Sequence, residues 1–124
     1  MSLVPDGLKY TKDHEWAKFE GAVAIVGVTD HAQRELGDIV FVELPKVGAV
    51  VKSGQSFGTI EAVKTVAELY APVSGTVSEV NTALSADAGV INQDPYNTGW
   101  IIKVKVDKAS DEGLMDAAAY KALI

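Results

Sequence analysis

From Ser56 to Tyr70 apolar and polar positions alternate on both sides of one lysine, Lys64. A two-residue turn at Val63-Lys64 sets Ala62 opposite Thr65, Ile60 opposite Ala67 and Gly58 opposite Leu69, and the period of two sends all of these to one face. The opposite face receives Phe57, Thr59, Glu61, Val66, Glu68 and Tyr70. The expected element is an antiparallel hairpin over about 56–70, with a mostly apolar inner face, an acidic-edged outer face and a lysine at its tip. No Asn-Gly or Asp-Gly occupies the turn, so the expectation rests on the matched arms alone.

Elsewhere the same alternation predicts short strands. Glu15–Glu20 and Val23–Val28 flank Glu20-Gly21 as a hairpin, and Asp38–Leu44 is a third run closed by Pro45. Between them Thr29 caps a short helix, Asp30–Leu36, with Gly37 as its stop. Beyond Ala71-Pro72 come Val73–Val80 and, after Asp94-Pro95 and Gly99, Trp100–Val106. The tail reads as a helix over about 110–123, with Leu114, Met115, Ala118, Ala122 and Leu123 along one stripe. Gly54 and Gly75 lie nearly evenly about Lys64, as turn glycines in two similar halves would. Many short strands with glycine turns must close or stack to hide their edges. A mainly β barrel or sandwich of antiparallel strands follows, most simply as one domain over 1–124.

Composition narrows the chemistry. In 124 residues with 48% apolar content there is one sizeable core, and a net charge of −6 argues against binding phosphate backbones, so nucleic acid is not an expected partner. No apolar stretch approaches the roughly eighteen residues of a membrane span, and the start lacks the pattern of a leader, so a cytoplasmic or already processed chain is expected. With no cysteine there is no disulfide, thiolate nucleophile or Cys-ligated zinc, and His14 and His31 are not spaced as a metal pair. No phosphate-binding glycine loop is present. Redox chemistry would have to arrive on a cofactor. Lys64 is then either an ordinary solvated loop lysine or a residue presented for modification, and the alternation alone leaves both readings open.

The run from Gly54 to Val77 around Glu61-Ala62-Val63-Lys64 resembles the lipoyl-attachment segment of the glycine cleavage system H protein family. So do Leu8–Trp16, Gly27–Gln33, Leu36–Pro45 and Asn92–Trp100, in the expected order over essentially the whole chain. The resemblance implies a hybrid barrel-sandwich of the biotinyl/lipoyl-carrier type, with short helices and a C-terminal helix. It implies a carrier with no catalytic residue and no metal, bearing lipoate amide-linked to Lys64. Such a carrier takes an aminomethyl group from glycine decarboxylase (P protein) to the tetrahydrofolate-dependent aminomethyltransferase (T protein), and electrons to dihydrolipoyl dehydrogenase (L protein). A lipoyl ligase or transferase is implied as a further partner. Where the family usually has Glu-Ser-Val-Lys this chain has Ala62 for serine, a change expected to affect turn packing and not the lysine.

By the same resemblance Glu61 is read by the lipoylating enzyme. Glu15, in Asp13-His14-Glu15-Trp16, is assigned to hold the cationic amine of the loaded arm, with Glu68 as a second; the bland alternative puts Glu15 on the solvated side of a strand. His31 is a surface residue of a first helical turn or a recognition residue, and Trp16 and Trp100 are core or cleft-wall aromatics. A biotin carrier usually flanks its lysine with methionines, where Val63 and Thr65 stand. A 2-oxoacid dehydrogenase lipoyl domain has aspartate before the lysine and Pro/Ala-rich linkers. A Schiff-base enzyme needs a desolvated lysine, not an exposed tip.

Overall fold

The computed structural model describes residues 2–106 and 113–124. In chain order it contains β1 (Lys9–Tyr10), β2 (Glu15–Glu20), β3 (Val23–Val28), α1 (Asp30–Leu36), β4 (Ile39–Glu43), β5 (Val50–Val51) and β6 (Ser56–Ala62). There follow β7 (Val66–Tyr70), β8 (Gly75–Val80), α2 (Ala83–Ala86), α3 (Val90–Gln93), β9 (Ile102–Val106) and α4 (Ala117–Leu123). Two antiparallel sheets result, one ordered β1-β2-β3-β9-β8-β5 and one β4-β6-β7.

Strand alternation decides where the cores lie. Ala24, Val26 and Val28 of β3, with Val77, Ile102 and Val104, meet Ile39, Val42, Ile60 and Leu69 of the smaller sheet in the main core. Ile25, pointing the other way, joins Tyr10, Trp16, Ala117 and Tyr120 in a second cluster. The larger sheet is therefore covered on both faces, by the smaller sheet and by α4. This is the sandwich of antiparallel strands that the alternation requires.

Four expectations change. The helix α4 starts at Ala117; residues 110–112 lie outside the described ones, while Gly113 takes φ +80° and Met115 exchanges backbone hydrogen bonds with Tyr10, both 2.8 Å. Pairing with Tyr10 keeps this segment extended until Asp116, whose carboxylate accepts from Ala119 N at 2.8 Å and caps the helix. Its buried residues are Ala117 and Tyr120, while Ala118, Ala122 and Leu123 are exposed. Second, Phe57 packs on the main core instead of facing outward, because a bulge between Ser56 and Gly58 resets the alternation. Third, β8 begins at Gly75 and β9 at Ile102, not at Val73 and Trp100. Fourth, that glycine is a paired strand residue, between Val51 and Val106 in register, where a Cβ would strike the Lys105 carbonyl of β9, and is no counterpart of the turn residue Gly54 at φ +84°.

Candidate functional site

The hairpin β6–β7 pairs Ile60 with Ala67 and Gly58 with Leu69, and Ala62 N donates to Thr65 O at 2.8 Å, so Val63 and Lys64 form the turn. Neither has a positive φ, so the turn is not of the primed type that usually closes such hairpins. Tertiary contacts hold it instead. Strand β4 pairs with β6 up to Ile39–Ala62, and Val63 N donates to Asp38 O at 3.0 Å. A Cβ on Gly37 would lie 3.5 Å from Lys64 Cε, so the stem of the exposed lysine runs along the end of α1.

That end is itself fixed. Thr29 Oγ1 accepts from Ala32 N at 3.1 Å to start α1, and Gly37, at φ +78°, ends it with N–H to Gln33 O at 3.0 Å. The side chain of Asn92 on α3 accepts from Ile39 N at 2.9 Å and donates to Gly37 O at 2.8 Å and Gln33 Oε1 at 3.1 Å. Asn92 thus locks the turn against which Lys64 lies. Its residue type gives no hint of this at the sequence level, because its partners are 53 to 59 residues away and two of them are backbone groups.

Glu61 is half-buried on the outer face of the smaller sheet, between Phe41 and Val66 in register. Phe41 and Val66 are exposed, as are Val40 and Val63, so an apolar border with an acidic centre lies beside Lys64. Glu68 is exposed on the same face and accepts from Tyr70 Oη at 3.2 Å.

Glu15 lies on the inner side. Strand parity puts it with Ala17 and Phe19, opposite Trp16, and it is 2% exposed, which overturns the solvated-strand alternative. Thr11 Oγ1 donates to its Oε1 at 2.9 Å and Tyr70 N to its Oε2 at 3.3 Å. Burial pushes its carboxyl up from 4.5 to about 8, against the lowering effect of those two hydrogen bonds. The ladder parity turns the amides of Val66, Glu68 and Tyr70 toward the free edge of β7, and Glu15 closes the far end of that edge. The edge of β7 therefore leads from the Lys64 turn to the Glu15 carboxyl.

His31, half-buried, packs its ring 4.7 Å from that of His14 and lies 3.4 Å from Glu35. Trp16 is buried, with Nε1 donating to Pro95 O at 3.1 Å, and Trp100 is half-buried against the second cluster. The groove of about 650 Å³ lined by Ser2, Leu3, Val4, His31, Lys121 and Ile124 contains none of Lys64, Glu61, Glu15 and Glu68. Among the described residues no group of His, Asp and Glu is placed to hold a metal, and no helix is long and apolar enough to cross a membrane.

A family model described as glycine cleavage H-protein matches residues 8–124. The chain belongs to the glycine cleavage H-protein family. It is 58% identical to the glycine cleavage system H protein of Chlorobium limicola, covering 98% of this chain and 97% of that protein. It is 53% identical to that of Anaeromyxobacter sp., covering 98% and 95%. The crystal structure of a glycine cleavage system H protein from Mycobacterium marinum superposes with a TM-score of 0.88 at 42% identity, covering 96% of this chain and 97% of that one.

H proteins carry lipoate covalently on a lysine and are carriers, not catalysts, so the chain is a lipoyl carrier of the glycine cleavage system. The residues present fit such a group: a solvent-facing amine on a braced turn, beside a strand edge that ends at a buried carboxyl.

Proposed function

We propose that Lys64 is the lysine to which lipoate is attached, through Nζ as an amide, and that residues 1–124 act as one carrier domain in the cytoplasm. The observation that supports this most directly is the turn itself, in which an exposed side chain rises from a backbone held on both sides by Asp38 O and Thr65 O. Such a turn presents the Nζ to an enzyme from a fixed backbone without unfolding any strand. When bound, the lipoyl group supplies the disulfide that takes up an aminomethyl unit with two electrons and gives both back.

The rest of the work falls to this chain's residues. Glu61, set between Phe41 and Val66, marks the surface read by a lipoyl ligase or transferase. Glycine decarboxylase, aminomethyltransferase and dihydrolipoyl dehydrogenase are then met in turn. Between those encounters the edge of β7 receives the arm, and Glu15 faces the cationic amine, with Glu68 at the rim. A carboxyl that burial holds near 8 is mostly protonated at neutral pH. An ammonium beside it would favour the ionised form, so Glu15 would give up its proton to solvent at the open strand edge and pair with the amine. The open strand edge and its buried terminus support this reading.

Intact-mass measurement on protein made in lipoate-replete cells tests the attachment. A lipoyl-sized increment is expected on Lys64 and absent from Lys64→Arg, which should fold as the parent does and carry no aminomethyl group. An increment mapped to another lysine would overturn the assignment.

A further inference from the structure

The corner from Thr11 to Glu15 has a backbone that the other described loops lack. His14 takes φ +70°, the positive-φ non-glycine among the described residues, which costs an L-residue energy unless its surroundings enforce it. The enforcing contacts are visible. Thr11 folds the corner back, with Thr11 N donating to Glu15 O at 3.0 Å and His14 N to Thr11 O at 3.1 Å, while Thr29 N donates to His14 O at 3.0 Å. The His14 ring is held from outside the corner: its Nδ1 shares a hydrogen bond of 2.7 Å with the Tyr120 hydroxyl, which shares another of 2.7 Å with Thr29 Oγ1. Tyr120 is fully buried and stacked on Tyr10 at 4.8 Å between ring centres, so its hydroxyl has little freedom. One hydroxyl from the last helix thereby joins the Glu15 corner to the cap of α1.

We infer that Tyr120 is a positioning residue for the arm site: acting through the His14 ring, it holds the corner in the conformation that aims Glu15 at the free edge of β7. The helix α4 is then a working part of the carrier and not only a cover for the larger sheet. This rests on the reading that Glu15 receives the loaded arm, but its first readout does not need the arm. The titrating groups that face Glu15 are Asp13, Tyr70 and Tyr120.

The experiment uses the full chain as Tyr120→Phe, which keeps the stacked ring and removes only the hydroxyl, and as His14→Ala, which keeps the Cβ that resists a positive φ and removes only the imidazole. In the unmodified proteins, the Glu15 carboxyl resonance is titrated by NMR. Both variants should move its midpoint in the same direction, with folded amide spectra. In the lipoylated and loaded proteins, with the decarboxylase removed, both should release the load about fivefold faster, the effect of losing one buried hydrogen bond. Their rates of lipoylation should match the parent. A Glu15 titration in Tyr120→Phe that superposes on the parent overturns the inference, and a shift in Tyr120→Phe without one in His14→Ala overturns the route through His14. Should Tyr120→Phe fail to fold, His14→Ala, with α4 intact, decides by the same titration. Glu15→Gln separates the two readings: unchanged release there, with shifted titrations in the other variants, removes the arm assignment and leaves the positioning role standing.

Discussion

Glu15 couples the site to pH through its burial. Its folded-state value is raised from 4.5 to about 8, so the stability referable to the protonated carboxyl is complete below about 4.5 and is lost as pH rises through about 8. Denaturant unfolding of the unmodified protein between pH 5 and 9 should therefore show a decline with rising pH that Glu15→Gln flattens, and parallel profiles would mean that the carboxyl titrates as it does in water. The position of Glu15 was only half legible in the sequence. Alternation separates Glu15, Ala17 and Phe19 from Trp16 and Lys18, but the large indole suggests that its own face is the inner one. Both faces are in fact covered, by different elements, and α4 is the cover for Trp16. Lys64 was legible as the tip because the two arms encode its place between them, whereas the contacts from Asp38 and Asn92 that hold the turn come from distant segments and were not.

At the scale of elements, the turn that braces Lys64 depends on a helix of four residues. Asn92 on α3 makes three side-chain hydrogen bonds, to Ile39 N, Gly37 O and Gln33 Oε1. Asn92→Ala leaves the two backbone groups without that partner and should cost about 1–3 kcal/mol. It should also raise amide exchange at Ile39 and Val63 more than at Val26 or Val104 in the body; uniform exchange would show that the brace lies elsewhere. Such short helices carry no readable periodicity, and neither α2 nor α3 has a side-chain cap to announce it. The strands β2 and β3 and the helix α1 were legible to the residue, since a hairpin turn and a capping threonine with a terminal glycine mark their limits. The start of α4 was not, because the backbone pairing of Met115 with Tyr10 overrides the local helical pattern across some hundred residues of chain.

The whole molecule divides into a body that must be packed and a tip that need not be. Ile60, 1% exposed, sits on the same strand as the turn and contributes to the core between the sheets. Ile60→Ala should cost about 2–5 kcal/mol, read as a lower urea midpoint, whereas Lys64→Arg should leave that midpoint where it is. Equal losses would mean that the tip is part of the cooperative core. The antiparallel, mainly β character was legible from strand number and turn spacing. That β5 joins β8 in the larger sheet, while β4 joins β6 in the smaller, was not, since sheet membership is decided by packing between segments far apart in sequence.

The bracing of the turn by Asp38 O and Thr65 O also sets how proteases meet this chain. A lysine on an exposed loop is an ordinary trypsin target, but a protease must draw several residues on each side into an extended strand, and β6 and β7 already hold both flanks. Limited trypsin digestion of the native, unacylated protein should spare the bond after Lys64 until the smaller sheet opens. Protein acylated on Lys64, as proposed, should resist there even when unfolded, since the amide removes the positive charge that trypsin requires. The ratio of that one fragment between native and urea-treated samples thus reports, in a single digest, how firmly the tip is held and what fraction of the carrier has been charged with its cofactor.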